Sequence, residues 1–232
     1  INVLLFCSSI LISLYFIEFY LIYNYHYKVN DYNLKKDFDK TTKLQFYSKE
    51  LILDLTTVPT VPPKSNLEND LFFPLSGVSN SNTIMCNELG YFSKYKSDRF
   101  GFNNPDSQWD EDNLEWLLVG DSFTQGSCVQ PGEDIASQIR FQSKQSAISL
   151  GMAGNGPLLE LAALKEYSII KKPRNVLWIY FERNDLEDLK KEKSSPILLN
   201  YLNNNFTQSL VKKQKEIDDQ LNKFIFNKEK IL

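Results

Sequence analysis

Three apolar runs, each closing in a small or polar cluster, constrain the fold of this chain more than any other feature. LEWLLV (114–119) runs into GDSFTQG, AISL (147–150) into GMAGNGP, and NVLWIY (175–180) into FERNDLEDL. Between them stand two stretches with helical character, PGEDIASQIRFQSK and PLLELAALKEYSIIKK. In the second, Leu158, Leu161, Ala162, Leu164 and Tyr167 fall near helical spacing; Pro157 suits the first turn, and Lys171 and Lys172 suit the end. Strands alternating with helices predict an α/β fold with a mostly parallel sheet covered on both faces. Ligands of such sheets collect at the carboxyl ends of the strands. Gly120 to Gly126, Gly151 to Gly156 and Glu182 to Asp185 are therefore expected along one edge, although they are far apart in sequence.

These residues resemble the SGNH or GDSL-type hydrolases. GDSFTQG is similar to that family's first block, GDSxxxG, which implies Ser122 as nucleophile. Aligning SLGMAGNG with the second block puts the oxyanion glycine at Gly154, and ERND resembles the third block, GxND, with Asn184 as oxyanion asparagine. The resemblance spans about Leu114 to Leu189 and implies a three-layer α/β/α, flavodoxin-like domain. Asp121 and Asn155 flank these positions and are expected to contact substrate. Glu182 stands where the family has glycine, a residue with access to backbone angles that glutamate reaches only with strain.

The mechanism this implies is acyl transfer through a covalent serine ester, with Ser122 Oγ attacking an ester carbonyl after a base takes its proton. The Ser122 and Gly154 backbone N–H groups and the Asn184 amide would hold the tetrahedral oxyanion. Loss of one such donor typically raises the barrier by about 3 to 4 kcal/mol. The pattern is not the GxSxG elbow of α/β-hydrolases, because Asp121 precedes the serine and glycine follows four positions later. The family takes its base from a DxxH block near the end of the domain. This chain has one histidine, His26, just after an apolar N-terminal run, where a juxtamembrane position without a catalytic role is expected. Ile1 in place of methionine, and no histidine after Asn184, suggest a fragment of a longer protein that is nearly inactive as it stands.

INVLLFCSSILISLYFIEFYLIY, residues 1–23, is almost wholly apolar or aromatic and has the length of a membrane-spanning helix. Glu18 near its end and the tyrosines around it fit an interfacial belt. A signal peptide and a buried core helix are the rival readings, and no clear small-residue cleavage site is present. The expected organisation is an anchor over residues 1–24, a linker and irregular region over 25–83, and the hydrolase-like domain over 84–232, incomplete at its C-terminus. TTVPTVPPKSN, Thr56 to Asn66, reads as a proline-extended spacer. The aromatic, turn-rich segment up to Asp112 reads either as an irregular edge packed on the sheet or as a substrate-facing lip carrying Tyr95, Arg99, Phe100 and Phe102.

A net charge of −3 with 24% charged residues is that of an ordinary soluble domain and suggests neither nucleic acid nor an acidic membrane surface as partner. Cys86 and Cys128 can pair outside the cytoplasm or remain thiols. No zinc-type ligand spacing and no phosphate-binding loop is present, and no metal or cofactor is expected. The acidic cluster Glu182, Asp185, Glu187 and Asp188 reads as a solvated helix start or, less simply, as a metal site. Gln208 to Leu232 reads as an amphipathic helix with Leu210, Ile217, Leu221, Phe224 and Ile225 as its apolar side. Together these features predict a membrane-anchored, extracytoplasmic (periplasmic) esterase or O-acyltransferase acting on an ester substrate, with an acylated envelope glycan suggested by analogy. The opposing reading is a catalytically inactive domain of the same fold that binds a polysaccharide or a partner protein.

Overall fold

The computed structural model describes residues 2–35, 39–66 and 72–228, and the chain divides into two compact units, Ile1–Lys40 and Thr41–Leu232. The first unit is a helix, α1 (Asn2–Lys35), of 34 residues, which continues well past the apolar run. Within it Ser9 and Ser13 donate to the carbonyls of Phe6 and Ser9, so these hydroxyls are satisfied along the helix itself. Large side chains from Leu5 to Tyr25 are exposed. No helix among the described residues is long and apolar enough to cross a membrane. Cys7 and His26 belong to this helix.

The second unit opens with α2 (Lys43–Leu53), whose Thr42 and Gln45 form a reciprocal capping box. The stretch read as a spacer follows, and it is folded. Thr57–Pro59 forms β1, which pairs parallel with β2 (Asn82–Ile84), and β2 pairs antiparallel with β3 (Lys94–Lys96). Val58 and Val61 are buried, Thr60 N–H donates to the Ile84 carbonyl, and Pro59 is tolerated because β1 is an edge strand. A 3-10 turn, Pro63–Asn66, comes next. Prolines that suggest an extended tether thus serve as an edge strand once a neighbour is present, and the domain begins well before residue 84.

The main sheet is wholly parallel. β4 (Trp116–Gly120) lies between β5 (Ala147–Ser149) and β6 (Asn175–Ile179), so in chain order the strands run second, first, third. Leu117 and Val119 join a large core with Ile148, Leu159, Ala162 and Tyr167, whereas Leu118 packs on the other face with Ala136, Ala147 and Ile139. That two-sided burial explains the unbroken apolar run of β4, and each buried leucine contributes about 2 kcal/mol by its transfer from water. The crossover helices are α4 (Ile135–Ser143) and α5 (Pro157–Tyr167). α5 ends at Tyr167, so Lys171 and Lys172 lie beyond it and Lys165 occupies its last turn. Cover is incomplete at β6, where Val176 and Trp178 are 47% and 56% exposed.

Beyond β6 come α6 (Asp185–Glu192), α7 (Pro196–Asn200) and α8 (Gln214–Lys228). Ile217, Leu221 and Ile225, four residues apart, bury the apolar stripe of α8; Phe224 packs partly against the same core, and Leu210 sits in a 3-10 turn before the helix. The last four residues of the amphipathic stretch lie outside the described residues. Cys86 and Cys128 form a disulfide, 42 residues apart, which resolves the pairing left open by the sequence.

The segment between β3 and β4 is an edge packed on the domain rather than a lip. Tyr95 and Phe102 are buried, Phe100 stacks edge-on against Trp109 and Tyr167, and Arg99 pairs with Asp106 and Asp110. Its centre is Asp98, fully buried, which accepts hydrogen bonds from the Phe100 and Phe102 N–H groups, Asn104 Nδ2 and Trp109 Nε1. Burial lifts the Asp98 carboxyl to about 6 against the pull of these four donors.

Candidate active site

β4 ends where the main chain must pass close to its neighbours. A Cβ at Gly120 would collide with Thr124 Oγ1 and lie 2.8 Å from the Ile179 carbonyl oxygen, so this position between two strands and a helix start has no room for a side chain. Asp121 follows as N-cap of a short helix, α3 (Ser122–Gln125); its Oδ1 accepts the Phe123 N–H at 2.9 Å. Ser122 is therefore the first residue of the helix, with an N–H that has no partner within it. The side chain of Ser122 is partly exposed, and its hydroxyl makes no hydrogen bond among the described residues.

The second polar cluster is fastened to this turn by side chains. Ser149 Oγ donates to the Thr124 carbonyl, and Asn104 holds both the N–H and the carbonyl of Ser149. Gln125, 1% exposed, accepts the Ala153 N–H on Oε1 at 2.8 Å, and Asn103 donates to the Gln125 carbonyl. The loop then turns through Gly154 at φ +75°, a left-handed angle that favours glycine. A side chain there would also strike Lys64 at Cε and Nζ: the turn after β1 lays this lysine directly over the glycine. Asn155 is buried, and its Oδ1 finds no partner among the described residues.

The third cluster reaches the same edge through β6, whose Ile179 lies opposite Gly120. Asn184 is the residue before α6, and its Nδ2 lies 3.4 Å from Asp121 Oδ2 and 3.4 Å from Asp188 Oδ2. Such long contacts hold the amide weakly, so a stronger acceptor can capture it; Asn184 Oδ1 is buried without a partner among the described residues. Glu182 sits in the turn between, and its φ is not among the positive ones, so the site does not need glycine there. Of the four acids read as a solvated helix start, Glu182 and Glu187 are exposed as expected, whereas Asp185 and Asp188 are buried. Asp185 Oδ2 accepts the Phe181 N–H at 2.6 Å, and Glu192 caps α5 by accepting the Gly156 and Leu158 N–H groups at 2.6 and 2.9 Å. Glu160 accepts from Trp178 Nε1 at 2.6 Å; burial, with help from Asp185, Glu192 and Asp121, pushes its carboxyl up to about 8. Among the described residues no group of three such side chains is arranged to hold a metal ion.

The three clusters thus share one edge, with Asp121 and Ser122 at the end of the central strand and Asn184 just past its neighbour. They lie where the crossover connections diverge, the position at which sheets of this strand order take their ligands. Asp121, expected to contact substrate, is 1% exposed and spends its oxygens on Phe123 and Asn184, so it holds the turn together instead. Asn155 is equally buried. Sequence reasoning missed Gln125, Glu160 and Lys64. A glutamate inside the apolar run of α5 was a usable signal for Glu160, whereas nothing local marked Lys64, which arrives through a strand pairing. No protein-family profile, curated protein or solved structure matches this chain.

Proposed function

We propose that the Thr41–Leu232 unit is a serine acyl-transfer domain of SGNH type, a three-layer α/β/α fold in which Ser122 attacks an ester carbonyl and the Ser122 N–H, Gly154 N–H and Asn184 Nδ2 receive the oxyanion. The observation that carries this reading is the meeting of Asn184 with Asp121 beside Ser122, across two strands, at the switch point of the sheet. The order of events is that of a serine ester: a base removes the Ser122 proton, Oγ bonds to the acyl carbon, the alcohol leaves, and water or a sugar hydroxyl then takes the acyl group. Esterase and O-acyltransferase activities share these steps and differ only in the final acceptor. An acylated glycan of the cell envelope is the proposed substrate class. The Cys86–Cys128 bond supports work outside the cytoplasm, where disulfides persist.

A second reading, an inactive domain of this fold that binds polysaccharide or protein, is favoured by one observation: the sole histidine, His26, belongs to the other unit. Fluorophosphonate labelling of the full-length gene product, with Ser122→Ala as control, separates the two. Labelling that disappears in the variant supports the enzyme; absence of labelling leaves the binding domain.

A further inference from the structure

Resting on the reading of Ser122 and Gly154 just given, we infer that Lys64 is a specificity-determining residue of this site and selects esters that carry a negative charge beside the reacting carbonyl. Three observations bear on it. The lysine is not on a remote surface: its Cε and Nζ occupy the space in which Gly154 would carry a side chain, and Gly154 is tied through Ala153 and Gln125 to the helix that starts at Ser122. Lys64 is exposed, and its ammonium has no hydrogen bond or ion pair among the described residues.

The third observation concerns the acids of this edge. Five of them are engaged elsewhere, Asp121 with Phe123 N–H, Asp185 with Phe181 N–H, Glu192 with two backbone N–H groups, Glu160 with Trp178 and Asp188 with Lys191, and the exposed Glu182 makes no ion pair with Lys64 among the described residues. A cation set over Gly154, whose N–H alone in this loop has no acceptor among the described residues, and itself without a carboxylate partner among them, matches an anionic group of an incoming molecule. The contact is electrostatic and partly exposed, so it sorts substrates and does not itself react.

The test compares 4-nitrophenyl acetate with mono-4-nitrophenyl succinate, esters that differ in the added carboxylate, on the full-length protein. In wild type the ratio of KM values favours the succinate ester, and the preference shrinks with added salt. An exposed ion pair of ordinary strength corresponds to about fivefold, so Lys64→Met raises the succinate-to-acetate KM ratio about fivefold, and Lys64→Arg restores most of it. Equal ratios in wild type and Lys64→Met overturn the inference. Succinate binding by calorimetry to Ser122→Ala, with and without Lys64→Met, reads the same contact without turnover. About fivefold weaker binding in the double variant supports it; equal binding overturns it, whether or not Ser122 reacts. Failure of the proposed enzyme shows separately, as the absence of any Ser122-dependent release of nitrophenol.

Discussion

Asn184 Nδ2 lies 3.4 Å from Asp121 Oδ2 although 63 residues separate the two in sequence, and this contact joins the turn that bears Ser122 to the turn that follows β6. If the amide serves the oxyanion, Asn184→Ala slows fluorophosphonate labelling of Ser122 by roughly a hundredfold to a thousandfold. The loss is expected in the second-order labelling rate, while the urea midpoint changes little, because both contacts made by the amide are long.

Gln125 has a different signature. Its Oε1 is the acceptor for the Ala153 N–H inside the domain, so Gln125→Ala leaves a donor unpaired and costs about 1 to 3 kcal/mol of stability. Urea denaturation measures the cost. The Gly154 loop loses its fastening at the same time, and slower Ser122 labelling accompanies the lower midpoint.

Glu160 makes stability depend on pH in a direction opposite to that of an ion-paired acid. With its folded carboxyl raised to about 8, the native chain keeps a proton that the unfolded chain has already released. Stability therefore falls as pH rises from the ordinary carboxylate range towards about 8 and levels off above it. Glu160→Gln keeps an acceptor for Trp178 Nε1 and removes the proton. Urea midpoints taken between about pH 6.5 and about pH 8.5 should fall less steeply in the variant; identical slopes would sink the assignment. Asp98, raised to about 6, adds a drop of the same sign that is complete at lower pH.

Reducing the Cys86–Cys128 bond releases a closed loop of 42 residues. The chain-entropy estimate for a loop of that size is about 4 kcal/mol, so the paired Cys→Ser variant and the dithiothreitol-treated protein should share a lowered urea midpoint. A midpoint unmoved by reductant would mean that the bond does not form in solution.

The parallel sheet, its two crossover helices and the convergence of three polar clusters were legible because each is written as a local change of period and ends in a local turn signal. The LEWLLV run gives β4 to within two residues, and Gly156-Pro157 marks the start of α5. What was not legible depends on partners far away in the chain. Thr57–Pro59 becomes a strand because Asn82–Ile84 offers it a ladder, which no window around the prolines reveals. Asp185 and Asp188 have the composition of a wet helix start, yet tertiary packing buries them and the main chain supplies Asp185 with its donor. For the same reason Asp121 looked like a ligand contact and is instead an internal brace.

The order in which the three strands of the main sheet pair has a temporal consequence. Chains emerge from the ribosome N-terminus first, and domains tend to fold as their last essential element arrives. Ser122 and the Gly154 loop are complete once β5 is made, but the flank of β4 that receives β6 stays bare until residue 179 has been synthesised, and Asn184 follows only after that. A nascent chain thus carries Ser122 for about sixty residues of translation before Asn184, its proposed partner in the site, is made.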